Sequence, residues 1–165
     1  MTGREKFIMA YGGIYEHSPW VAEQVWQSGD ISRLPDAMKA VVDGATRDRK
    51  LALLRAHPDL AGRAAVAGDL STQSTLEQQG AGLDQCSAEE FQELQALNRA
   101  YRAKFDFPFI VAVRGMNRFD ILENFRARME NSVEDEFTTA LKEVHKIARL
   151  RLAALTEEQN FDVSP

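Results

Sequence analysis

Apolar residues recur every three or four positions along most of the chain, which is the spacing of one face of an α-helix. Most of these stretches begin at a residue that favours a helix N-cap and end at a glycine or just before a proline. The pattern predicts helices from Thr2 to Met9, from Ser18-Pro19 to Gly29, from Leu34 to Asp43, from Thr46 to His57, from Ser74 to Gly80, from Ser87 to a point before Pro108, from Ile121 to Met129 and from Ser132 to about Leu155. We therefore expect residues 1–165 to form one all-α domain, a helical bundle of about eight or nine helices with a frayed tail from about residue 157.

The run FPFIVAV at 107–113 is the most apolar segment of the chain. At this length, periodicity does not separate a buried strand from a buried helical turn. No second run offers a partner strand, so we expect an irregular or helical buried segment here.

An apolar seam runs along the last predicted helix, at Phe137, Leu141, Val144, Ala148 and Leu155. The same spacing places Arg151 on this seam, where a guanidinium is costly unless an anion or several acceptors meet it. Arg151 therefore either binds a substrate anion inside the bundle or extends along its stem to water, with Leu152 buried in its place.

Candidate chemistry lies in residues 57–83, where His57 and Glu77 flank a predicted loop (58–73) rich in glycine and alanine. An imidazole with a carboxylate a short loop away suits proton transfer on a small polar substrate. Small residues also let the backbone approach a ligand closely. Each residue has a structural alternative, since His57 can bind the last carbonyls of a helix and Glu77 completes a capping box that Ser74 begins.

Composition narrows the classes of function. The chain has 165 residues, 44% hydrophobic and 27% charged, and a net charge of -5, which suits one domain without a basic surface for nucleic acid. No apolar run approaches the length of a membrane span, and the N-terminus lacks the pattern of a leader. The single cysteine favours a reducing compartment, so we expect a cytoplasmic protein. The charge and the absence of a long apolar run lead us to expect that it binds neither nucleic acid nor a membrane.

The alternative role for His57, Asp59 and Glu77, together with His17, is to bind a metal ion. Their spacing matches none of the usual ligand motifs. No phosphate loop, nucleophile elbow or dinucleotide fingerprint occurs either. We therefore expect neither a metal nor a cofactor.

Two other residues are weaker candidates. His145 is expected to point to solvent from the last helix. Cys86 stands at a helix start, where the dipole can lower its pKa, but no base lies near it in the sequence.

Four motifs in order resemble the OHCU decarboxylase family, whose members act on 2-oxo-4-hydroxy-4-carboxy-5-ureidoimidazoline (OHCU). They are YGGIYEHSPWVAE at 11–23, HPDLAGR at 57–63, STLEQQGAGLD at 74–84 and LNRAYRAKFDFPFIVAVRG at 97–115, and the resemblance continues through KIARLRL at 146–152. One departure is Asp106, where the family usually has glycine. The resemblance implies an all-α enzyme without a cofactor, commonly a homodimer, that converts OHCU to (S)-allantoin in the last step of urate oxidation.

The resemblance also implies residue roles. His57 corresponds to the catalytic histidine and proton donor of the family, Glu77 to the second catalytic residue, and Arg151 to an arginine that closes the site. The implied substrate-binding residues are Pro58 through its backbone, Ser74, Thr75, Leu76 and Gln78 along one segment, and the main chain of Phe109, Ile110, Val111, Ala112 and Val113.

Three classes of function remain open on the sequence. A cofactor-free carboxy-lyase retains activity after chelation of metals, whereas a metal-dependent hydrolase of a related ureide loses it. A non-catalytic helical binding module shows no turnover and exposes a broad apolar groove.

Overall fold

The structure, a computed structural model, describes residues 1–60 and 71–163. Within these ranges the chain forms eight α-helices, one short 3-10 turn and no β-strand, so the predicted all-α fold is confirmed. The helices are α1 (Gly3–Tyr11), α2 (Trp20–Ser28), α3 (Leu34–Asp43), α4 (Arg47–Arg55), α5 (Thr72–Gly80), α6 (Ala88–Phe105), α7 (Arg118–Arg128) and α8 (Val133–Val163), with the 3-10 turn at Leu83–Gln85. None of these eight is both long enough and apolar enough to cross a membrane.

Side-chain caps account for several helix starts. The hydroxyl of Thr2 accepts from the backbone N–H of Glu5 at 3.2 Å, and the Glu5 carboxylate accepts from the backbone N–H of Thr2 at 3.0 Å. Ser87 and Glu90 form the same reciprocal box at the start of α6, as predicted. Such a box satisfies two backbone donors that the first turn of a helix leaves unpaired.

Several helix boundaries differ from the prediction, including those of α2 and α8. The Ser18 hydroxyl donates to the carbonyl of Glu16 instead of capping α2, which begins at Trp20 after Pro19. Helix α8 continues past Leu155, where the apolar seam predicted its end, to Val163. Of the predicted loop at 58–73, positions 61–70 lie outside the described residues.

Contacts within the chain group its residues into two compact units. The first unit comprises residues 1–56 and 144–165. In it, α2 packs against both α1 and α3. Its core is mostly aliphatic but also buries Phe7 and Tyr15, and its other members include Val21, Ala22, Val25, Met38, Val42, Leu53 and Leu54.

The second unit comprises residues 57–143 and has an aromatic core. Tyr101 of α6 lies at its centre, with ring centroids 4.5 to 5.8 Å from those of Phe105, Phe107, Phe109 and Phe125. Residues 107–113 are neither helix nor strand, and most of them are buried. The expected burial is therefore confirmed, and of the two forms left open by the sequence, irregular or helical, the structure has the irregular one.

Asp106 ends α6 in the left-handed conformation, with φ 64° and ψ 25°. Glycine adopts this region without cost, and aspartate is one of the few other residues that tolerate it. The turn into 107–113 thus keeps a conformation typical of glycine although the residue is aspartate.

The C-cap of α2 provides a direct test of backbone strain. Gly29 has φ 77°, and no atom lies within 4 Å of the position that a Cβ would take. The change Gly29→Ala should lower the free energy of unfolding by about 1–2 kcal/mol through strain alone. Urea unfolding followed by circular dichroism measures this loss.

Gly13→Ala is the matched control, because Gly13 also has open space around it and no positive φ. Its effect should stay within about 0.5 kcal/mol. Equal losses in the two variants would contradict the strain argument.

Candidate functional site

His57 lies just after α4, in a segment that two side chains of α6 hold. The Asn98 amide donates to the carbonyl of Leu60 at 3.0 Å, and the Arg102 Nε donates to the Asp59 carboxylate at 3.0 and 3.3 Å. Asn98 and Arg102 are one helical turn apart, so both reach the segment from the same face of α6. His57 itself is only 5% exposed, which makes it a buried histidine in an anchored turn.

The start of α5 corrects the predicted capping box. Ser71, and not Ser74, caps this helix, and its hydroxyl accepts from the backbone N–H of Ser74 at 3.1 Å. Ser74 is therefore the third helical residue, and Glu77 lies in the middle of the helix. The capping explanation for Glu77 is wrong, because the N–H groups that a cap satisfies belong to the first turn of a helix and Glu77 lies beyond that turn.

The predicted substrate-binding residues of α5 fall on different faces. Ser74, Glu77 and Gln78 are three and four positions apart and share one face, on which Ser74 and Gln78 are buried and Glu77 half-buried. Thr75 is half-buried, and its hydroxyl donates to the carbonyl of Ser71 at 3.0 Å. Leu76 is 62% exposed. The face of Ser74, Glu77 and Gln78 is thus the part of α5 suited to enclose a polar ligand.

The irregular segment Phe109–Val113 presents main-chain groups in a buried position. Among the described residues, its N–H groups form no hydrogen bond with another backbone group. Four of its five residues are buried, and Ala112 is half-buried. Because buried backbone groups in proteins are almost always paired, such a segment is suited to pair with a ligand.

An ion pair that the sequence pattern did not predict holds this segment. Arg128, at the end of α7, donates from Nε to both carboxylate oxygens of Glu136 at 3.1 and 3.0 Å. Its Nη1 donates to the carbonyl of Ile110 at 2.6 Å. The spacing of Ile121, Phe125 and Arg128 places a cation on the apolar face of α7. The sequence pattern had indicated Met129 there, but Met129 is only half-buried.

Glu136 is 0% exposed and receives further hydrogen bonds. The Tyr101 hydroxyl donates to it, and so does the Asn131 amide at 3.3 Å. Burial first, and then the bond to Glu136, raise the pKa of Tyr101, so its phenol keeps the proton that it donates. A buried carboxylate is tolerated here because a cation and two other donors meet it.

Arg151 lies in the first unit, within reach of a protein carboxylate. Its Nη2 is 2.9 Å from Oε2 of Glu16, and its Nη1 donates to the carbonyl of Ile14 at 3.2 Å. Arg151 and Leu152 are both buried, so the alternative in which Arg151 extends to water is wrong. Its role toward a substrate stays a prediction.

The predicted site residues other than Arg151 belong to the second unit. They comprise His57 and Pro58 in the anchored turn, Ser74, Thr75, Leu76, Glu77 and Gln78 on α5, and the segment 109–113. A family model described as OHCU decarboxylase matches residues 2–153, which include all of these positions. The chain belongs to the OHCU decarboxylase family.

Relatives and a solved structure agree with this assignment to the OHCU decarboxylases. The chain is 44% identical over 152 residues to the 2-oxo-4-hydroxy-4-carboxy-5-ureidoimidazoline decarboxylase of Haloferax volcanii, covering 90% of this chain and 88% of the relative. It is 39% identical to the uric acid degradation bifunctional protein PucL of Bacillus subtilis, covering 91% of this chain and 30% of that protein. The crystal structure of an (S)-allantoin synthase is similar with a TM-score of 0.73 at 34% identity, over 93% of this chain and 51% of the other.

A second buried cluster in this OHCU decarboxylase family member corrects the prediction for His145. The ring is only 7% exposed, with Nδ1 2.9 Å from the Tyr15 hydroxyl and Nε2 3.1 Å from the Asp43 carboxylate. Burial lowers the pKa of His145, and the positive charges of Lys39 and Arg149 lower it further. Asp43 raises this pKa, but the net shift is downward. Burial alone would raise the pKa of Asp43, but its bonds with Lys39 and His145 lower it overall.

Two other candidates also change. Burial first, and then the charge of Glu90, raise the pKa of Cys86, which is the opposite of the dipole effect considered from the sequence. Of the four residues considered as an alternative metal site, Asp59 is paired with Arg102, and the His17 side chain is 65% exposed. Within residues 1–60 and 71–163, no three His, Cys, Asp or Glu side chains group as a metal-binding set.

The anchoring of the His57 turn can be tested through stability. The change Asn98→Ala removes the donor to Leu60 and leaves a buried carbonyl unpaired, so the free energy of unfolding should fall by about 1–3 kcal/mol. Urea unfolding measures the loss. Arg99→Ala, at the exposed neighbouring position, is the control, and an equal loss there would contradict the anchoring role.

The environment of His145 predicts how stability depends on pH. An unfolded histidine takes up a proton near pH 6.5, whereas the folded state keeps His145 neutral to lower pH. The unfolded state therefore binds more protons below about pH 6.5, and the free energy of unfolding should decrease as pH falls from 7 to 5.

Thermal unfolding of His145→Gln across this pH range should show a smaller decrease than wild type. His17→Gln, at an exposed histidine, should keep the wild-type slope. A His145→Gln variant with an unchanged slope would assign the pH dependence to other groups.

Proposed function

We propose that this chain decarboxylates OHCU to (S)-allantoin, the last step of urate oxidation, and so acts as a carboxy-lyase. The observation that carries the proposal is the family match over residues 2–153, together with relatives up to 44% identical that bear the name of this activity. The buried His57, the polar face of α5 and the main-chain groups of 109–113 all lie within the matched region.

The substrate can supply its own electron sink. Its carboxylate is on the carbon that bears a hydroxyl, next to a carbon doubly bonded to nitrogen. When the bond between the ring carbon and the carboxylate breaks, carbon dioxide leaves and the electron pair of that bond forms a double bond between the two ring carbons. The π pair of the carbon–nitrogen bond moves to nitrogen, which takes a proton. The resulting enol loses its hydroxyl proton as the neighbouring carbon is protonated, which yields the ring carbonyl of allantoin.

In this proposal the protein contributes geometry and protons. The enzyme must hold the carboxylate out of the ring plane, so that the breaking bond aligns with the π system. His57 delivers or relays the proton to one face of the ring carbon, and this choice of face determines the handedness of the product. Its anchored turn supports the role, because a proton donor must be held within hydrogen-bond reach of the reacting carbon.

Glu77 is the proposed partner of His57. It would accept a hydrogen bond from the substrate hydroxyl and help to orient the carboxylate in a poorly hydrated place. The register of α5 supports this role, because Glu77 shares a face with Ser74 and Gln78 and is not needed as a cap. Gln78 and Ser74 would bind the amides of the ureido group or ring.

Other parts of the site follow the same proposal. The main-chain groups of Phe109 to Val113 would bind the ring, and Pro58 would contact the substrate through its backbone. Thr75 and Leu76 are proposed on the family resemblance. The role of Arg151 in closing the site is also proposed on the resemblance alone. In the structure, the anion beside its guanidinium is the carboxylate of Glu16.

We further propose that the reaction needs no metal or cofactor and that the enzyme is a cytoplasmic homodimer. The substrate's own electron sink supports the first point. The single cysteine supports an intracellular location, and the family resemblance supports the dimer.

The test is circular dichroism of freshly generated OHCU, produced by uricase and the hydrolase that follows it. Adding this protein with EDTA should produce one allantoin enantiomer rapidly, whereas the spontaneous decay is slow and racemic. Loss of activity after chelation would favour a metal-dependent hydrolase. No change from the spontaneous course would refute the proposed function.

The catalytic pair predicts two further outcomes in this assay. His57→Asn should lower turnover by about 10²- to 10⁴-fold without unfolding the protein, because a positioned acid contributes that much. Glu77→Gln should lower kcat more than it raises KM. His17→Asn is the matched control, with the same substitution at an exposed histidine, and should retain the wild-type rate. Near-normal turnover in His57→Asn would remove this residue from the mechanism.

A further inference from the structure

We propose that Arg128 is a positioning residue for the reaction, which fixes one peptide unit so that the backbone N–H of Val111 faces the substrate ring. This inference rests on the proposed function, because the ring is what the segment 109–113 would bind. Arg128 does not touch the substrate in this proposal. It acts through the main chain of Ile110 and Val111.

The segment needs an external anchor because it lacks regular structure. Residues 107–113 follow the left-handed turn at Asp106 and precede α7. Within the described part of the chain, no backbone–backbone hydrogen bond involves Phe109 to Ala112. The bond of 2.6 Å from Arg128 Nη1 to the carbonyl of Ile110 therefore determines how this stretch of backbone is oriented.

The geometry of the peptide unit carries this orientation to Val111. The carbonyl of Ile110 and the N–H of Val111 belong to the same planar peptide group. No peptide bond in the described residues is cis, so this carbonyl and this N–H point in opposite directions. Holding the carbonyl on Arg128 therefore aims the Val111 N–H away from Arg128. That N–H has no backbone partner in the described residues, so it is free to meet a ring acceptor.

The guanidinium is held rigidly enough for this task. Glu136 accepts from Nε, and the central carbon of the guanidinium lies 4.4 Å from the centroid of the Phe109 ring. Phe109 in turn stacks on Phe125, with centroids 3.9 Å apart and planes 9° from parallel. Arg128 thus contacts the carboxylate, the ring and the carbonyl at once. The compact ammonium of lysine cannot reproduce this planar set of contacts.

The change Arg128→Lys tests the inference in the OHCU assay. It keeps the positive charge beside Glu136 but loses the fixed direction toward the Ile110 carbonyl. A misdirected donor weakens binding of substrate and transition state alike, so KM should rise about tenfold with kcat within about twofold. An unchanged KM in a folded Arg128→Lys protein would overturn the inference.

Two control variants separate positioning from simple stability. Arg126 lies on the same helix and pairs with Glu93 at the surface. The variant Arg126→Lys should therefore keep the wild-type KM. Gly29→Ala, strained at the C-cap of α2, should melt at a lower temperature and keep the wild-type KM. If Gly29→Ala raised KM as much as Arg128→Lys, the effect would follow lost stability and the inference would fail.

A measurement on the wild-type protein remains decisive even if Arg128→Lys does not fold. On addition of (S)-allantoin as the probe, the Val111 amide resonance should move and its hydrogen exchange should slow. An unchanged Val111 amide in protein saturated with allantoin would overturn the inference. The proposed function fails separately, if wild type does not decarboxylate OHCU at all.

Discussion

The buried ion pair between Arg128 and Glu136 is the interaction on which the second unit depends. Taking both charges out of water is expensive, and the cost is offset because each has several partners. Glu136 receives Arg128, Tyr101 and Asn131, while Arg128 also binds the Ile110 carbonyl and lies over Phe109. This one cluster therefore joins α6, α7, α8 and the irregular segment of the proposed site.

The first unit uses a similar solution. Arg151 of α8 lies beside the Glu16 carboxylate and donates to the carbonyl of Ile14, both in the connection between α1 and α2. His145, also on α8, binds the Tyr15 hydroxyl in the same connection. In each unit, a buried arginine supplies directed donors to carbonyls that no helix or strand satisfies. A planar guanidinium suits this purpose because it can bind a carboxylate and a carbonyl together.

The register of α5 shows how a short local shift changes a functional interpretation. Ser71 and Ser74 are both plausible caps, and the sequence pattern favoured Ser74 because Glu77 follows three residues later. The structure starts the helix three positions earlier, so Glu77 is released from a capping role and shares a face with Ser74 and Gln78. The alternative explanation that competed with a catalytic Glu77 is thereby removed.

Local signals in the sequence determined the helical class, most helix boundaries and the burial of the segment at 107–113. Caps such as Thr2 and Ser87, and stops such as Gly29, act within one helical turn, so the pattern near each residue contains the needed information. The partners of the buried charges were not local. Glu16 and Arg151, Tyr15 and His145, and Arg128 and Ile110 are distant in sequence, and only the tertiary structure brought them together. A spacing of three and four residues can place a charge on an apolar face, but the anion that compensates it is chosen by packing.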